Sequence, residues 1–483
     1  MQDLGALERY RDLVDDWPAF REACLAPLPP VVWANPLRSS AEAVCDLLDA
    51  AGWAPTPLAW YPGAFRLRPG ARPGGTLWHR AGLYQIQEEV SLLPPVLLDP
   101  QAGERILDAC AAPGNKTAQI AVRMGDVGTV VANDRDAGRI RSLRAVVERL
   151  GLCSVVLTQA DAANLPLRGG RYDRILCDVP CSGEGTSRKS RGAFSRSRKM
   201  AQLGRSQRAI LRKAVRLSRP GGRIVYSTCT YAPEENEAVV DEILAEGGVR
   251  VVPAAVEGLV TRPGLTEWKG RRYHPSLRGA MRVYPHLNDT GGFFVCLLER
   301  SEAAEAIRAD PVGPEAIDRG ALEALRERFG LPPDLFAPYA LVRGSRMTLA
   351  LLRRSAALPA APEPVSLGLP LCRAEMVHPK PTTAGAMWLG PHATRNVVDL
   401  RPEEVDRYLR RAPLALDTAR TRPLDRGFVL VRYQGWVLGA AFYPGEGAPL
   451  DSQYPKAWAL REGESALPAA MTEQAAQVSA KAP

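Results

Sequence analysis

The sequence is poor in the residues that staple or metallate a chain. Its nine cysteines are odd in number and contain no CxxC pair, the nearest two being Cys177 and Cys181, so no disulfide framework is expected. Five histidines (His79, His274, His286, His378, His392) are scattered without ligand spacing, so no metal site is expected. No stretch approaches the roughly 18 consecutive apolar residues of a membrane span. Met1 to Phe20 carries Glu8, Asp12, Asp15 and Asp16, which reads as neither a signal peptide nor an Arg-rich transit peptide. A cytoplasmic, monomeric protein without membrane contact is the expectation. Lysine is scarce too, with eight among 62 basic residues, a bias that a GC-rich genome also produces. What is present is ordinary globular stock, 46% hydrophobic and 24% charged, in a 483-residue chain long enough for two or three domains.

Residues 1–100 open on an amphipathic pattern (Leu4, Leu7, Tyr10, Leu13) and continue through Pro-punctuated segments such as Pro27-Leu28-Pro29-Pro30. They read as a small α/β lead-in with long loops. From 101 to 300 short apolar runs alternate with helical patterns. Strands are predicted at Arg105–Asp108, Thr129–Asp134, Ser154–Leu157, Arg174–Cys177, Arg223–Tyr226 and Phe293–Leu298, with helices at 116–124, 136–150, 202–218 and 234–246. That alternation predicts a doubly wound, Rossmann-like parallel sheet, with the last pair antiparallel at its edge. Residues 301–360 read as a helical connector (Ala321–Phe329, Met347–Arg353), and the Ala/Pro stretch 356–364 as a linker. A small β-rich domain is expected over 361–465 and a disordered tail over 466–483.

The chemistry-bearing motifs fall at strand ends. Asp108 leads into the small-residue turn Cys110, Ala111, Ala112, Pro113, Gly114, Asn115, Lys116, where a backbone can approach a ligand at a helix N-terminus. The next strand ends in Asp134, about 20 residues on, where a carboxylate can accept from both hydroxyls of an adenosine ribose. Asp161 and Asp178 end the third and fourth strands. Any one of these acids is also read as a helix cap; four in succession form a ligand crevice. Two cysteines follow strand ends, Cys181 in Cys177-Asp-Val-Pro-Cys-Ser-Gly-Glu-Gly185 and Cys229 in Tyr226-Ser-Thr-Cys-Thr-Tyr-Ala-Pro233. Burial as structural cysteines is the plainer alternative.

Taken together, the Ala-Pro-Gly turn, the Pro-Cys loop and the Thr-Cys loop, in that order, closely resemble the Nop/Sun family of RNA cytosine-5 methyltransferases. The resemblance spans about residues 20–300. Asp173–Thr186, Thr290–Val295, Leu58–Pro62 and Glu89–Pro95 look most like its tRNA-modifying branch. It implies a class I methyltransferase fold with S-adenosylmethionine lined by Cys110 to Lys116, Asp134, Asp161 and Asp178. It also implies Cys229 as nucleophile, with tRNA or rRNA as partner. In bacterial relatives a PUA-like RNA-binding domain often closes the chain; the C-terminal third here has no firm match. A tryptophan that many relatives carry after the Arg188-Lys189 pair is absent, and Phe194 stands nearby.

The implied chemistry explains the residue set. Thiolate addition at carbon 6 of cytosine, with protonation at nitrogen 3, creates an enamine whose carbon 5 attacks the methyl group. A free thiol of pKa ~8.5 must be activated by its surroundings. Asp178 is the candidate to bond or protonate nitrogen 3, which calls for a raised pKa. Cys181 is the candidate base that removes the carbon 5 proton so that Cys229 can leave.

Net charge is +9 and the pI about 9.2. Between Gly185 and Pro233 there is no acid, while Arg188, Lys189, Arg205, Arg208 and Arg212 all occur there. The run lies between the two cysteines in sequence, which favours phosphate contact over a merely solvated helix face. Tyr84, Phe194 and Tyr231 are candidates for stacking on RNA or for the core. Two other classes compete. A DNA-type enzyme would attack with Cys181 and leave the Cys229 loop unexplained. A non-catalytic RNA-binding assembly factor on the same fold would be marked by loss of a cysteine or of Asp178.

Overall fold

A computed structural model describes residues 4–169, 171–189, 200–301, 313–317, 320–344, 348–373 and 379–467. Its centre is a ten-stranded sheet. Strands β1 (Arg105–Asp108), β2 (Thr129–Asp134), β3 (Val155–Gln159), β4 (Tyr172–Asp178) and β5 (Ser218–Thr228) run parallel; β6 (Met281–Val283) and β7 (Phe293–Arg300) are antiparallel to their neighbours. The spatial order is β3–β2–β1–β4–β5–β7–β6. Burial on both faces makes these strands near-continuous apolar runs, which is why they are legible in sequence. Alternate residues feed opposite layers: Leu107, Val131, Ile175 and Ile224 face one, Ile106, Val130, Leu176 and Val225 the other.

Helices α1 (Asn115–Arg123), α2 (Ala137–Leu150), α3 (Met200–Leu217) and α4 (Glu237–Glu246) cover the sheet. Helix α2 starts where the Asp136 side chain accepts from Arg139 N at 2.8 Å, satisfying one of the free N–H groups of its first turn. The chain winds outward through β2 and β3, then returns to the other side of β1 with β4. The crevice outside the C-terminal ends of β1 and β4 is the switch point at which such sheets bind ligands.

The flanking segments are built into this core. Leu7, Tyr10, Trp17 and Phe20 pack in the same layer as Leu211 and Val239 of α3 and α4. The small sheet formed by Val31–Ala34 with its neighbours Ala64–Arg66 and Tyr84–Ile86 shares a core with Tyr408, Val429, Val431 and Tyr454 of the C-terminal region.

Three expectations are corrected here. Gly320–Phe329 is a helix, but Thr348–Arg353 is a strand paired antiparallel with Tyr339–Arg343, so the segment 301–360 is not helical throughout. Its alternate apolar residues are buried between sheet and helix, and a short apolar run does not reveal its own period. The proposed linker at 356–364 leads directly into β8 (Pro364–Leu367), which adds to the free edge of β3. Ala466 and Leu467 are buried, with the Ala466 carbonyl accepting from Leu77 N, so the tail begins no earlier than 468, outside the described residues.

Candidate functional site

The turn after β1 is shaped for close approach. Gly114 sits at φ +111°, and a Cβ there would press on Leu143 of α2, so only glycine lets this turn lie against the helix. Asp134, 3% exposed at the end of β2, accepts from Ala112 N at 3.2 Å and from Asp136 N at 3.0 Å, with the Arg139 guanidinium 3.3 Å away. Asp161 is exposed beyond β3, where it accepts from Ala163 N and Asn164 Nδ2, and neither it nor Asp134 lines the two cavities of this crevice. A cavity of about 170 Å³ opens over Cys110, Ala111, Ala112, Pro113, Asn115 and Lys116, and reaches Asp108, Asp178, Gln87, Glu88, Ser91 and Lys189.

A second cavity, of about 160 Å³, adjoins it and is lined by Cys229, Phe293, Val179, Thr186, Gly291 and Gly292 among others. The two share Glu88, Ser91, Lys116, Asp178 and Lys189. At their junction Lys116 Nζ donates to Asp178 Oδ2 and Ser91 Oγ, each at 2.8 Å. Ser227 Oγ donates to Asp178 Oδ1, also at 2.8 Å. Both oxygens of Asp178 are thus engaged as acceptors. Burial pulls the lysine down, but the carboxylate outweighs it and the ammonium is held above its ordinary range.

The two cysteines meet because β4 and β5 are parallel neighbours with Asp178 opposite Ser227, and each cysteine lies two or three residues beyond that pair. Their sulfurs stand 3.2 Å apart. The hydrogen bond to Cys229, with burial behind it, pushes the Cys181 thiol well above the ordinary thiol range. Either sulfur can donate in this contact. Buried bonds fix the loops: Ser182 Oγ and Thr230 Oγ1 are 2.7 Å apart, Gly185 N donates to the Cys229 carbonyl, and Glu235 accepts from Ser182 N. A third loop completes the floor. Gly292 N donates to the Gly185 carbonyl; a Cβ at 185 would strike Gly292, and one at 292 would enter the Tyr231 ring. Behind them Arg282, 2% exposed, holds Glu237 by two bonds of 2.6 and 2.7 Å and donates to the Tyr231 carbonyl.

Of the basic candidates, Lys189 is exposed on both cavities. Arg188 is not available for phosphate: its side chain is 1% exposed and donates to the carbonyls of Ala26, Pro27 and Thr290 and to Asp289. Arg208 and Arg212 pair with Glu242 and Glu246 of α4, at 3.0 and 2.7 Å. Their charge is matched by acids that lie just past the acid-free run in sequence. Arg205 is exposed on the same helix. Tyr84 and Tyr231 are core residues, 0% and 2% exposed, and Phe194 lies outside the described residues.

Sequence reasoning passed over Glu88 and Ser91, and named Asp108 only as the end of the first strand. Asp108 is 1% exposed; Thr117 Oγ1 donates to its Oδ2 at 2.7 Å, while its buried Oδ1 has no partner among the described residues. Burial pushes it up to about 7. Its place at the end of β1 was the available signal. Glu88 and Ser91 reach the site from before the sheet begins, and no strand-end rule points to them.

Residues 95–299 match the family profile described as 16S rRNA methyltransferase RsmB/F. Among curated relatives, a 28S rRNA (cytosine-C(5))-methyltransferase of Mus musculus is 33% identical over 315 residues, covering 62% of this chain and 40% of that protein. Ribosomal RNA small subunit methyltransferase F of Klebsiella pneumoniae (strain 342) is 38% identical over 302 residues, covering 60% of this chain and 61% of that one. The chain therefore spans less than two thirds of these relatives. A solved methyltransferase homolog protein from Pyrococcus horikoshii is 30% identical with a TM-score of 0.54, covering 62% of this chain and 99% of that chain. The structure of NSun6 from the same organism with SFG, at 22% identity and a TM-score of 0.53, shares the fold.

Proposed function

We propose, from the match of residues 95–299 to the RsmB/F methyltransferase profile, that this chain is an S-adenosylmethionine-dependent RNA (cytosine-5)-methyltransferase with Cys229 as nucleophile. The observation that carries this reading is the pair of sulfurs 3.2 Å apart, one of them, Cys229, lining a cavity that adjoins the cavity over the turn after β1. Ribosomal RNA is the favoured substrate class, because the family profile is named for 16S rRNA and the relatives quoted above for 28S rRNA and small-subunit ribosomal RNA; motif resemblance alone leaned towards tRNA.

The residues over β1 fit the cofactor. The turn from Ala111 to Gly114 admits a ligand against its backbone, Asp134 lies beside that turn as the candidate for ribose hydroxyls, and Asp108 Oδ1, without a partner among the described residues, suits a cationic group. Bound S-adenosylmethionine supplies an electrophilic methyl group. The target base has to be unstacked to reach the cavity. There Cys229 Sγ bonds to carbon 6 and the ring electron pair moves towards nitrogen 3, which the Lys116–Asp178 pair is placed to meet. Carbon 5 then takes the methyl group. For release, Cys181 removes the carbon 5 proton, the ring double bond re-forms and the Cys229–carbon 6 bond breaks. In this step Cys181 acts as the thiolate, its own proton having passed to solvent, and it becomes the thiol as the Cys229 thiolate is freed.

The test is a pair of variants incubated with cofactor and total ribosomal RNA. Cys229→Ala should bind RNA and form neither product nor adduct; Cys181→Ala should accumulate a covalent protein–RNA complex on a denaturing gel. Trapping by Cys229→Ala instead would assign attack to Cys181. Full activity in Cys229→Ala would refute covalent catalysis through this residue.

A further inference from the structure

Cytosine and uracil present the same carbon 5, carbon 6 and oxygen 2 to an attacking thiolate. They differ at position 4, where cytosine carries an amino donor and uracil a carbonyl acceptor, and at nitrogen 3. Selecting cytosine therefore requires an acceptor in the Cys229 cavity whose oxygens are not already consumed by a cation.

Two carboxylates line that cavity, Asp178 and Glu88. Asp178 faces the Lys116 ammonium and Ser227. Glu88 is held differently. Its Oε1 accepts from Gly291 N at 2.9 Å and its Oε2 from Ser91 N at 3.0 Å, so two backbone donors from separate segments fix the plane of the carboxylate. Among the described residues it has no ion pair, because the nearby guanidinium of Arg66 is taken by Glu89 at 2.6 Å. Val90 N is a further backbone donor, which still leaves the carboxylate a free acceptor site, and burial pushes the carboxyl above its ordinary range, a cost that capping a short turn does not require. Asn or Ser would cap the turn Glu89–Leu92 equally well.

We infer that Glu88 accepts a hydrogen bond from the 4-amino group of the target cytosine and thereby selects cytosine over uracil. The inference rests on the methyltransferase reading above. Glu88 does not act on the reacting atoms; it decides which base is held over Cys229.

The experiment uses full-length protein and an RNA that the wild type methylates, resynthesised with pyrimidin-2-one, which lacks the amino group, or uridine at the target. For the wild type, removing the amino group should lower kcat/KM about ten- to a hundredfold, as loss of a hydrogen bond to a charged group does. In Glu88→Gln, whose amide can turn a donor towards a position 4 carbonyl, the cytosine-to-uracil ratio should fall at least about tenfold while KM for the cofactor stays unchanged. A purely structural cap would lower both substrates together and leave the ratio intact, which overturns the inference. Wild-type indifference to removal of the amino group overturns it without any variant, so a Glu88→Gln that fails to fold leaves the question decided. A raised cofactor KM with unchanged base selectivity would assign Glu88 to the cofactor and also overturn it. If the wild type methylates no RNA cytosine at all, the methyltransferase reading itself has failed.

Discussion

Asp108 ties cofactor binding to pH in a way that can be measured. In the free protein burial holds its carboxyl at about 7, against an ordinary value of 3.8. A cationic group of the cofactor facing Oδ1 needs the ionised form, so each pH unit below 7 should cost about tenfold in affinity, or 1.36 kcal/mol. Binding near pH 6 should release close to one proton. The sign for stability is opposite. Between pH 4 and 7 the folded state holds a proton that the unfolded state has lost, so the cofactor-free fold loses stability as pH rises through that window, by up to ~4 kcal/mol for a shift of this size. Asp108→Asn keeps the shape and an acceptor for Thr117 Oγ1 without the charge. It should bind S-adenosylmethionine weakly with no slope between pH 5.5 and 7.5, and melt higher than the wild type at pH 8 but not at pH 4. Calorimetry in two buffers of different ionisation enthalpy reads affinity and proton release together. A wild-type affinity independent of pH, or a slope that survives in Asp108→Asn, would refute the reasoning.

Arg205→Ala should lower the slope of RNA affinity against log salt by about 0.7 if it meets one single-strand phosphate, whereas Arg212→Ala, already paired with Glu246, should leave the slope unchanged; filter binding over a salt series decides between them. Gly292→Ala places a methyl group in the Tyr231 ring and must push apart the loops bearing Cys181 and Cys229. Methylation should fall at least about a hundredfold, the scale on which a 1 Å misplacement is felt, while cofactor affinity stays within threefold; normal turnover would show that the loop contact is not needed.

The contrast between what was and was not legible follows from range. Strands β1 and β2 were bounded correctly from sequence because both faces are buried, leaving apolar runs that end in an acid or a small-residue turn. The two cysteines and the turn before Lys116 were equally visible, since their signal lies in adjacent residues. Thr348–Arg353 was misread because six mostly apolar residues fit a helix as well as a strand, and only the partner Tyr339–Arg343 distinguishes them.

The linear order determined which residues follow which strand. Their company was decided by folding. Cys181 and Cys229 are 48 positions apart and touch because parallel neighbours deliver their C-terminal loops to one edge. Arg188 looks like a phosphate ligand until the chain brings three carbonyls and Asp289 around it. Glu88 looks like nothing in sequence, and enters the site because Gly291, 203 positions later, donates to it. Electrostatic and hydrogen-bond energies fall off within a few ångströms, so a charged or polar residue takes its role from its neighbours in space, which the residues beside it in sequence do not reveal.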